Sequence, residues 1–216
     1  AAPIAKQFSG IPAELAIGQL TSLWTFALTI AFVRWEQLRL VDVGAALTSK
    51  SVPRALLGFT LGLAILGAWA VLCTLAGPVK WTMAKDSTFG ALGVFAIAYA
   101  LLACREELAF HGYPLRRLDR SYGMWVAQIV VALVFIAEHR FGGMSWQRAF
   151  LGPGIGCLLF GMAAIATRGL AIPIGLHAGW NTGHWSLGLK GAGGFWQGVV
   201  PSGQDDRAEF VAMVAY

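Results

Sequence analysis

Long apolar stretches are the feature that most constrains this chain. Of its 216 residues, 57% are hydrophobic and only 12% are charged, whereas soluble globular proteins carry about 25% charged residues. A soluble protein of this size could not cover its surface with so few charges, and a disordered chain needs low hydrophobicity and high charge. The composition therefore predicts a protein whose solvent is lipid.

Six apolar segments are separated by short polar loops, and each is predicted to form a helix. They cover approximately residues 15–33, 55–75, 89–103, 124–137, 155–166 and 170–185. We expect the third to continue through Arg105, Glu106 and Glu107 to about Tyr113, which places these charges on the helix. The predicted fold is all-α, a polytopic transmembrane bundle of about six to eight helices.

The predicted bundle forms a single domain over residues 1–216, because no linker or change of composition divides the chain. The chain starts at Ala1 and not at a methionine, and we expect that helices are missing from one or both ends. Within the second segment, Gly58 and Gly62 have the GxxxG spacing that lets helices approach closely in lipid. The three cysteines lie in apolar surroundings, which favours buried thiols over disulfides.

The basic residues indicate a membrane topology. The net charge is +5, but the cations lie in loops between apolar segments and not in a basic stripe with interleaved aromatic residues. This distribution argues against a nucleic-acid partner. The loops after the first and third segments carry the most arginine and lysine, so we expect them to be cytoplasmic. The expected location is the plasma (inner) membrane of a prokaryote.

Three short polar strings interrupt the apolar segments, and polar groups inside lipid are candidates for function. The strings are REELAFHGY (105–113), FIAEH (135–139) and HAGWN (177–181). On a helix, Glu106 and Glu107 point about 100° apart, whereas Glu107 and His111 are four residues apart and share a face. Glu106 is then free to face a cavity while His111 holds Glu107. The alternative is a helix end that leaves the membrane, with both glutamates in water beside Arg105.

The other two strings bring further polar groups to helices. His139 ends an apolar run, and Phe135 lies one turn earlier, where it would pack beneath the imidazole. His177 and Asn181 are four residues apart on one face, from which both can donate hydrogen bonds to a single oxygen atom. Alternatively, His139 is an interfacial residue at a helix end, and the His177–Asn181 pair joins two helices.

In their order and spacing, EELAFHGYPLRRL, FIAEH and GLHAGWN resemble the three motifs of the CPBP (Abi) family of intramembrane proteases, which includes the type II CAAX prenyl endopeptidases. The resemblance covers approximately residues 34–185. The first motif of that family has two glutamates, three further residues and an arginine, and His111 stands at the arginine position here. Because histidine forms an ion pair with Glu107 only when protonated, we expect either an activity retuned by pH or a weakened site.

The resemblance implies an intramembrane endopeptidase that hydrolyses membrane-associated or prenylated proteins or peptides with a glutamate-activated water. It assigns the general base to Glu106 and assistance in binding and activating the water to His139. His177 and Asn181 would hydrogen-bond the carbonyl oxygen. Three further residues would hold these catalytic side chains in position: Glu107, His111 and Phe135. The expected partners are membrane lipid and a protein or peptide substrate, and no cofactor is expected.

Two alternatives stay open. In the first, the protein is a zinc-dependent protease in which Glu106, His139 and His177 bind the metal and water takes the fourth position, although the chain has no H-E-x-x-H motif. In the second, the polar residues form a proton or ion path in a small transporter, or the chain is a non-catalytic immunity partner. A catalytic site would bring these residues and Asn181 within a few ångströms of one another at one cavity that is reachable from one membrane face. A transport path would distribute them across the bilayer.

Overall fold

The computed structural model describes residues 11–84, 88–190 and 193–215, with side chains from residue 19 onwards. These residues form seven helices and two short strands, and the all-α prediction is confirmed. The helices are α1 (Ile11–Trp35), α2 (Ser51–Ala76), α3 (Phe89–Tyr122), α4 (Met124–Phe141), α5 (Trp146–Thr167), α6 (Ala171–Ser186) and α7 (Asp205–Val214). The strands are β1 (Lys80–Met83) and β2 (Trp196–Val199). The first six helices correspond to the six predicted segments.

Four of these helices, α2 to α5, are long and apolar enough to cross a membrane. Their exposed surfaces are rich in large hydrophobic side chains, as expected for helices that face lipid. The chain is therefore an integral membrane protein. Helix α6 has 16 residues, or about 24 Å at 1.5 Å per residue, and most of its side chains are buried inside the bundle.

Helices α3 and α5 extend further than predicted, and each contains one wider π-helical turn. In α3 the turn covers Glu107–Gly112, after which the helix continues to Tyr122 instead of ending near Tyr113. Helix α5 begins nine residues before the predicted start, because Ser145 caps it by accepting a hydrogen bond from the backbone N–H of Arg148. Its π turn, Phe150–Gly154, contains Pro153, whose missing N–H removes one bond of the regular helical pattern. Such π turns are frequent at functional sites.

Glycines bring α2 and α6 into close contact. A Cβ atom at Gly58 or Gly62 would collide with backbone atoms of α6, and a Cβ atom at Gly175 or Gly179 would collide with backbone atoms of α2. The close approach expected from the GxxxG spacing is confirmed, and a second glycine pair on α6 meets it from the opposite side. This packing fixes α6, which carries HAGWN, against a membrane-spanning helix.

The two strands form an antiparallel pair, with Lys80 opposite Val199 and Met83 opposite Trp196. Sequence reasoning did not predict this pair. It joins the loop after α2 to the C-terminal part of the chain, which is also held by a 3.0 Å hydrogen bond from Nε1 of Trp69 to the carbonyl oxygen of Ala212 in α7. The C-terminal segment is thereby fixed to the end of α2.

Candidate active site

Glu106 lies in α3 at the end of the regular helical turn that immediately precedes the π turn. Its side chain is buried, with the residue 6% exposed. One carboxylate oxygen, Oε1, accepts a 2.7 Å hydrogen bond from Nη2 of Arg105, and the other, Oε2, lies 3.6 Å from Nε2 of His177. The alternative with the glutamates in water is wrong for the described structure, since Glu107 is only 1% exposed.

Glu107 links two histidines from different parts of the chain. Its Oε2 accepts a hydrogen bond from Nδ1 of His111 at 2.6 Å, and its Oε1 accepts one from Nδ1 of His177 at 2.9 Å. The structure contains the predicted Glu107–His111 contact. The contact with His177 was not predicted, because it joins residues 70 positions apart. Glu107 thus holds the first and third motifs together.

His111 has a second partner in α5. Its Nε2 lies 3.3 Å from Sγ of Cys157, which is fully buried. When Nδ1 carries the proton donated to Glu107, Nε2 of the neutral ring is an acceptor, and the thiol of Cys157 can donate to it. A histidine at this position therefore donates a hydrogen bond from one ring nitrogen and accepts one at the other, whereas an arginine could only donate hydrogen bonds.

The contact with Glu107 also determines what His177 can do. Because Nδ1 donates to Glu107, Nε2 of the neutral ring is an acceptor, and Nε2 donates only when the ring is an imidazolium. The ring is held in place by Phe160, which stacks on it with 4.5 Å between ring centroids and an interplanar angle of 18°. His177 is therefore fixed in orientation, with Nε2 directed to the side of Glu106.

His139 is fixed in a similar way in the last turn of α4. Its Nδ1 donates a 3.0 Å hydrogen bond to the carbonyl oxygen of Phe135, and the rings of the two residues lie 4.5 Å apart between centroids. The predicted packing of Phe135 beneath His139 is present. The bond leaves Nε2 as the ring nitrogen that can bind a water molecule.

Asn181 lies one turn after His177 on α6 and is buried. Its Oδ1 accepts a 2.8 Å hydrogen bond from Nζ of Lys190. Since an ammonium group only donates, the amide atom that faces Lys190 must be the oxygen. The NH₂ group of Asn181 is then free to donate to another partner.

One open cavity of about 1230 Å³ is lined by Glu106, His139, His177 and Asn181 together. Phe135 also lines it, whereas Glu107 and His111 are not among the described residues that do so. Five further charged residues contribute to its wall: Arg105, Glu138, Arg148, Lys190 and Glu209. The four predicted residues thus line one cavity, as expected of a catalytic site, and His177 lies 3.6 Å from Glu106 within it.

The alternative zinc ligands are not arranged as a metal site. Within the described parts of the chain, no three His, Cys, Asp or Glu side chains are grouped so that they could hold a metal ion. This includes the set of Glu106, His139 and His177. The zinc-dependent alternative stays a prediction, and treatment of the protein with a chelator tests it.

Sequence reasoning missed two neighbours of the site, Cys157 and Lys190. Cys157 is part of an apolar helix, where a thiol resembles any other small buried side chain. Lys190 lies in a glycine-rich loop, and loop residues follow no periodicity that predicts what they face. The available signal was that Lys190 is the one cation between His184 and Arg207.

Residues 88–183 match the model of the family described as type II CAAX prenyl endopeptidase Rce1-like. This range contains all three motifs, and the predicted resemblance to the type II CAAX prenyl endopeptidases is confirmed. The family is one of proteases, whose substrates are proteins or peptides at a membrane, in agreement with the four apolar helices. No curated protein and no solved structure matches the chain.

Proposed function

We propose that this chain, whose residues 88–183 match the type II CAAX prenyl endopeptidases, is an intramembrane endopeptidase that cleaves membrane-associated or prenylated proteins or peptides with a glutamate-activated water. One observation carries the proposal: Glu106, His139, His177 and Asn181, from three different helices, line a single cavity. Peptide hydrolysis needs a base, a group that orients the water and donors for the developing oxyanion. The four side chains supply these groups.

Glu106 acts as the general base. Arg105 holds Oε1 at 2.7 Å, which leaves Oε2 to accept a proton from water. The water oxygen forms a bond to the carbonyl carbon of the substrate as the proton moves to Glu106. When the carbon–nitrogen bond breaks, the same proton passes to the leaving nitrogen. Nε2 of His139 binds the water and orients it towards the carbonyl carbon.

Asn181 and His177 stabilise the negative charge on the carbonyl oxygen. The NH₂ group of Asn181 donates directly. Nε2 of His177 donates when the ring is an imidazolium, whose Nδ1 then donates to the Glu107 carboxylate at 2.9 Å. Removing one oxyanion donor typically reduces the rate about 100- to 1,000-fold, so Asn181→Ala is expected to lose activity within this range.

The topology and location are part of the proposal. Nε of Arg117 donates to Oε1 of Glu36 at 2.9 Å, which brings the loop after α1 to the basic end of α3. The loop carries Arg39 and Lys50, and the end of α3 carries Arg116, Arg117 and Arg120. The positive-inside tendency assigns both to the cytoplasm. The proposed location is the plasma membrane of a prokaryote.

Membranes that contain the protein test the proposal. A prenylated CAAX reporter peptide is incubated with wild type, Glu106→Gln and Glu138→Gln, and the products are identified by mass spectrometry. Glu138 is the matched control because it also lines the cavity, is about half exposed and lies 3.8 Å from Arg105. Glu106→Gln should reduce cleavage at least 100-fold, whereas Glu138→Gln should stay within a few-fold of wild type.

The thermal unfolding temperatures of the two variants are compared as well. Equal values show that a loss of activity is not caused by a loss of folded protein. Full activity of Glu106→Gln would refute the assignment of the base. The same assay with a chelator tests the metal alternative. Cleavage should be unchanged by the chelator, and a loss that added zinc restores would favour the metalloprotease.

A further inference from the structure

Lys190 lies at the wall of the candidate active site, in the loop that follows α6. The residue as a whole is exposed, but its Nζ atom is held by two groups. It donates to Oδ1 of Asn181 at 2.8 Å and lies 5.0 Å from the centre of the Tyr99 ring, a distance at which a cation is attracted to an aromatic face. Lys190 also lines the cavity that contains Glu106.

The contact matters because a carboxamide is nearly symmetric in shape. Rotation of the Asn181 side-chain amide by 180° exchanges its oxygen and its NH₂ group with little change in packing, so hydrogen-bond partners decide which end faces the cavity. An ammonium group is only a donor, and it holds the oxygen. If the amide rotated, the oxygen of Asn181 would face the developing oxyanion and repel it.

We propose that Lys190 is a positioning residue, which fixes the Asn181 carboxamide so that its NH₂ group donates to the carbonyl oxygen of the substrate. This inference rests on the proposed function. Lys190 itself need not touch the substrate, since it acts through Asn181.

The protonation of Lys190 should then control the orientation of the amide. Loss of hydration around Nζ lowers the pKa of the Lys190 ammonium to about 8, although the charge of Glu106 acts in the opposite direction. A neutral amine both donates and accepts, so it no longer distinguishes the two ends of the Asn181 amide. The charged and titratable groups that face Lys190 or share its cavity are Tyr99, Arg105 and Glu106 of α3, Glu138 and His139 of α4, Arg148 of α5, His177 and His184 of α6, and Glu209 of α7.

The first experiment measures kcat and KM between pH 6.5 and 10 in detergent-solubilised full chain. Lys190→Met should lower kcat about 10- to 100-fold at pH 7, part of the effect of losing an oxyanion donor, with KM changed less than threefold. Lys190→Arg should keep kcat near the wild-type value and abolish the decline of wild-type kcat near pH 8. The matched control is Lys80→Met, since Lys80 is exposed on β1 and does not line the cavity.

The decline of wild-type kcat near pH 8 distinguishes a positioning role of Lys190 from a merely structural one, because a structural defect would not change the pH at which kcat declines. The proposal is overturned if Lys190→Met keeps the wild-type kcat and pH profile. It is equally overturned if the variant changes KM alone, which would make Lys190 a substrate-binding residue.

A second experiment detects the contact between Lys190 and Asn181 without measuring activity. Asn181 is the only asparagine in the chain, so selective ¹⁵N-asparagine labelling yields a single pair of side-chain NH₂ signals. In wild type these signals should shift with a midpoint near pH 8, and in Lys190→Met and Lys190→Arg they should not. Absence of this shift from wild type refutes the role of Lys190, whereas absence of cleavage by wild type refutes the proposed function, and the two failures are thereby distinguished.

Discussion

Close packing of α2 against α6 leads to a quantitative expectation for Gly179→Ala. A Cβ atom at this position would lie closest to the carbonyl oxygen of Phe59, and 2.9 Å from the carbonyl carbon and 3.0 Å from Cα of the same residue. Because carbon atoms pack best about 3.5–4.0 Å apart, the two helices must separate by at least roughly 0.5–1 Å. Overpacking of this kind costs about 1–3 kcal/mol of unfolding free energy.

Gly67→Ala is the matched control, because it makes the same substitution inside α2 where a Cβ atom would meet nothing within 4 Å. For a chain of this size, 1 kcal/mol shifts the unfolding temperature by about 2–4 °C. Gly179→Ala should therefore unfold roughly 2–12 °C below Gly67→Ala, as measured by tryptophan fluorescence during heating in detergent.

The same displacement should affect the candidate active site, because α6 carries His177 and Asn181. A shift of α6 by 0.5–1 Å would stretch the 2.9 Å hydrogen bond between His177 and Glu107, and a 1 Å misplacement can cost about 100-fold in rate. Folded Gly179→Ala protein should thus lose most of its peptidase activity at a temperature where Gly67→Ala retains it. Equal unfolding temperatures for the two variants would refute the proposed packing.

Two further expectations concern charged side chains. His111→Phe should lower the unfolding free energy by roughly 3–5 kcal/mol, because it removes a donor from the buried carboxylate of Glu107. The double variant with Glu107→Gln should recover part of this loss. A wild-type unfolding temperature for His111→Phe would contradict the expectation. Hydrogen bonds from Arg117 and Tyr113 hold the pKa of the Glu36 carboxyl below its ordinary value. The carboxylate therefore stabilises the folded protein at a pH above its pKa in the unfolded chain, about 4.3. This stabilisation disappears as the pH falls through its lower pKa in the folded protein. The unfolding temperature of wild type should accordingly exceed that of Glu36→Gln by more at pH 7 than at pH 3, and an equal difference at both pH values would argue against the contact.

Local patterns were sufficient to predict the helices and part of the site. Apolar length predicted the six segments because a helix in lipid must satisfy all of its backbone hydrogen bonds internally. Spacing predicted the contacts Glu107–His111 and Phe135–His139, because residues four apart meet on one helix face. The ends of α3 and α5 were less predictable, because a capping serine and two π turns extend helices beyond the apolar segments.

A helical membrane protein with three polar strings can be predicted from the order of residues alone, since hydrophobicity and helical spacing are local properties. Which polar groups meet depends on how the helices and loops pack in three dimensions. The hydrogen bond of Glu107 to His177 spans 70 residues, and the contact of Lys190 with Asn181 depends on a loop that turns back over α6. Such contacts depend on how the glycine-lined helices pack and on the path of the loops. The spacing of neighbouring residues predicts neither the packing nor the path.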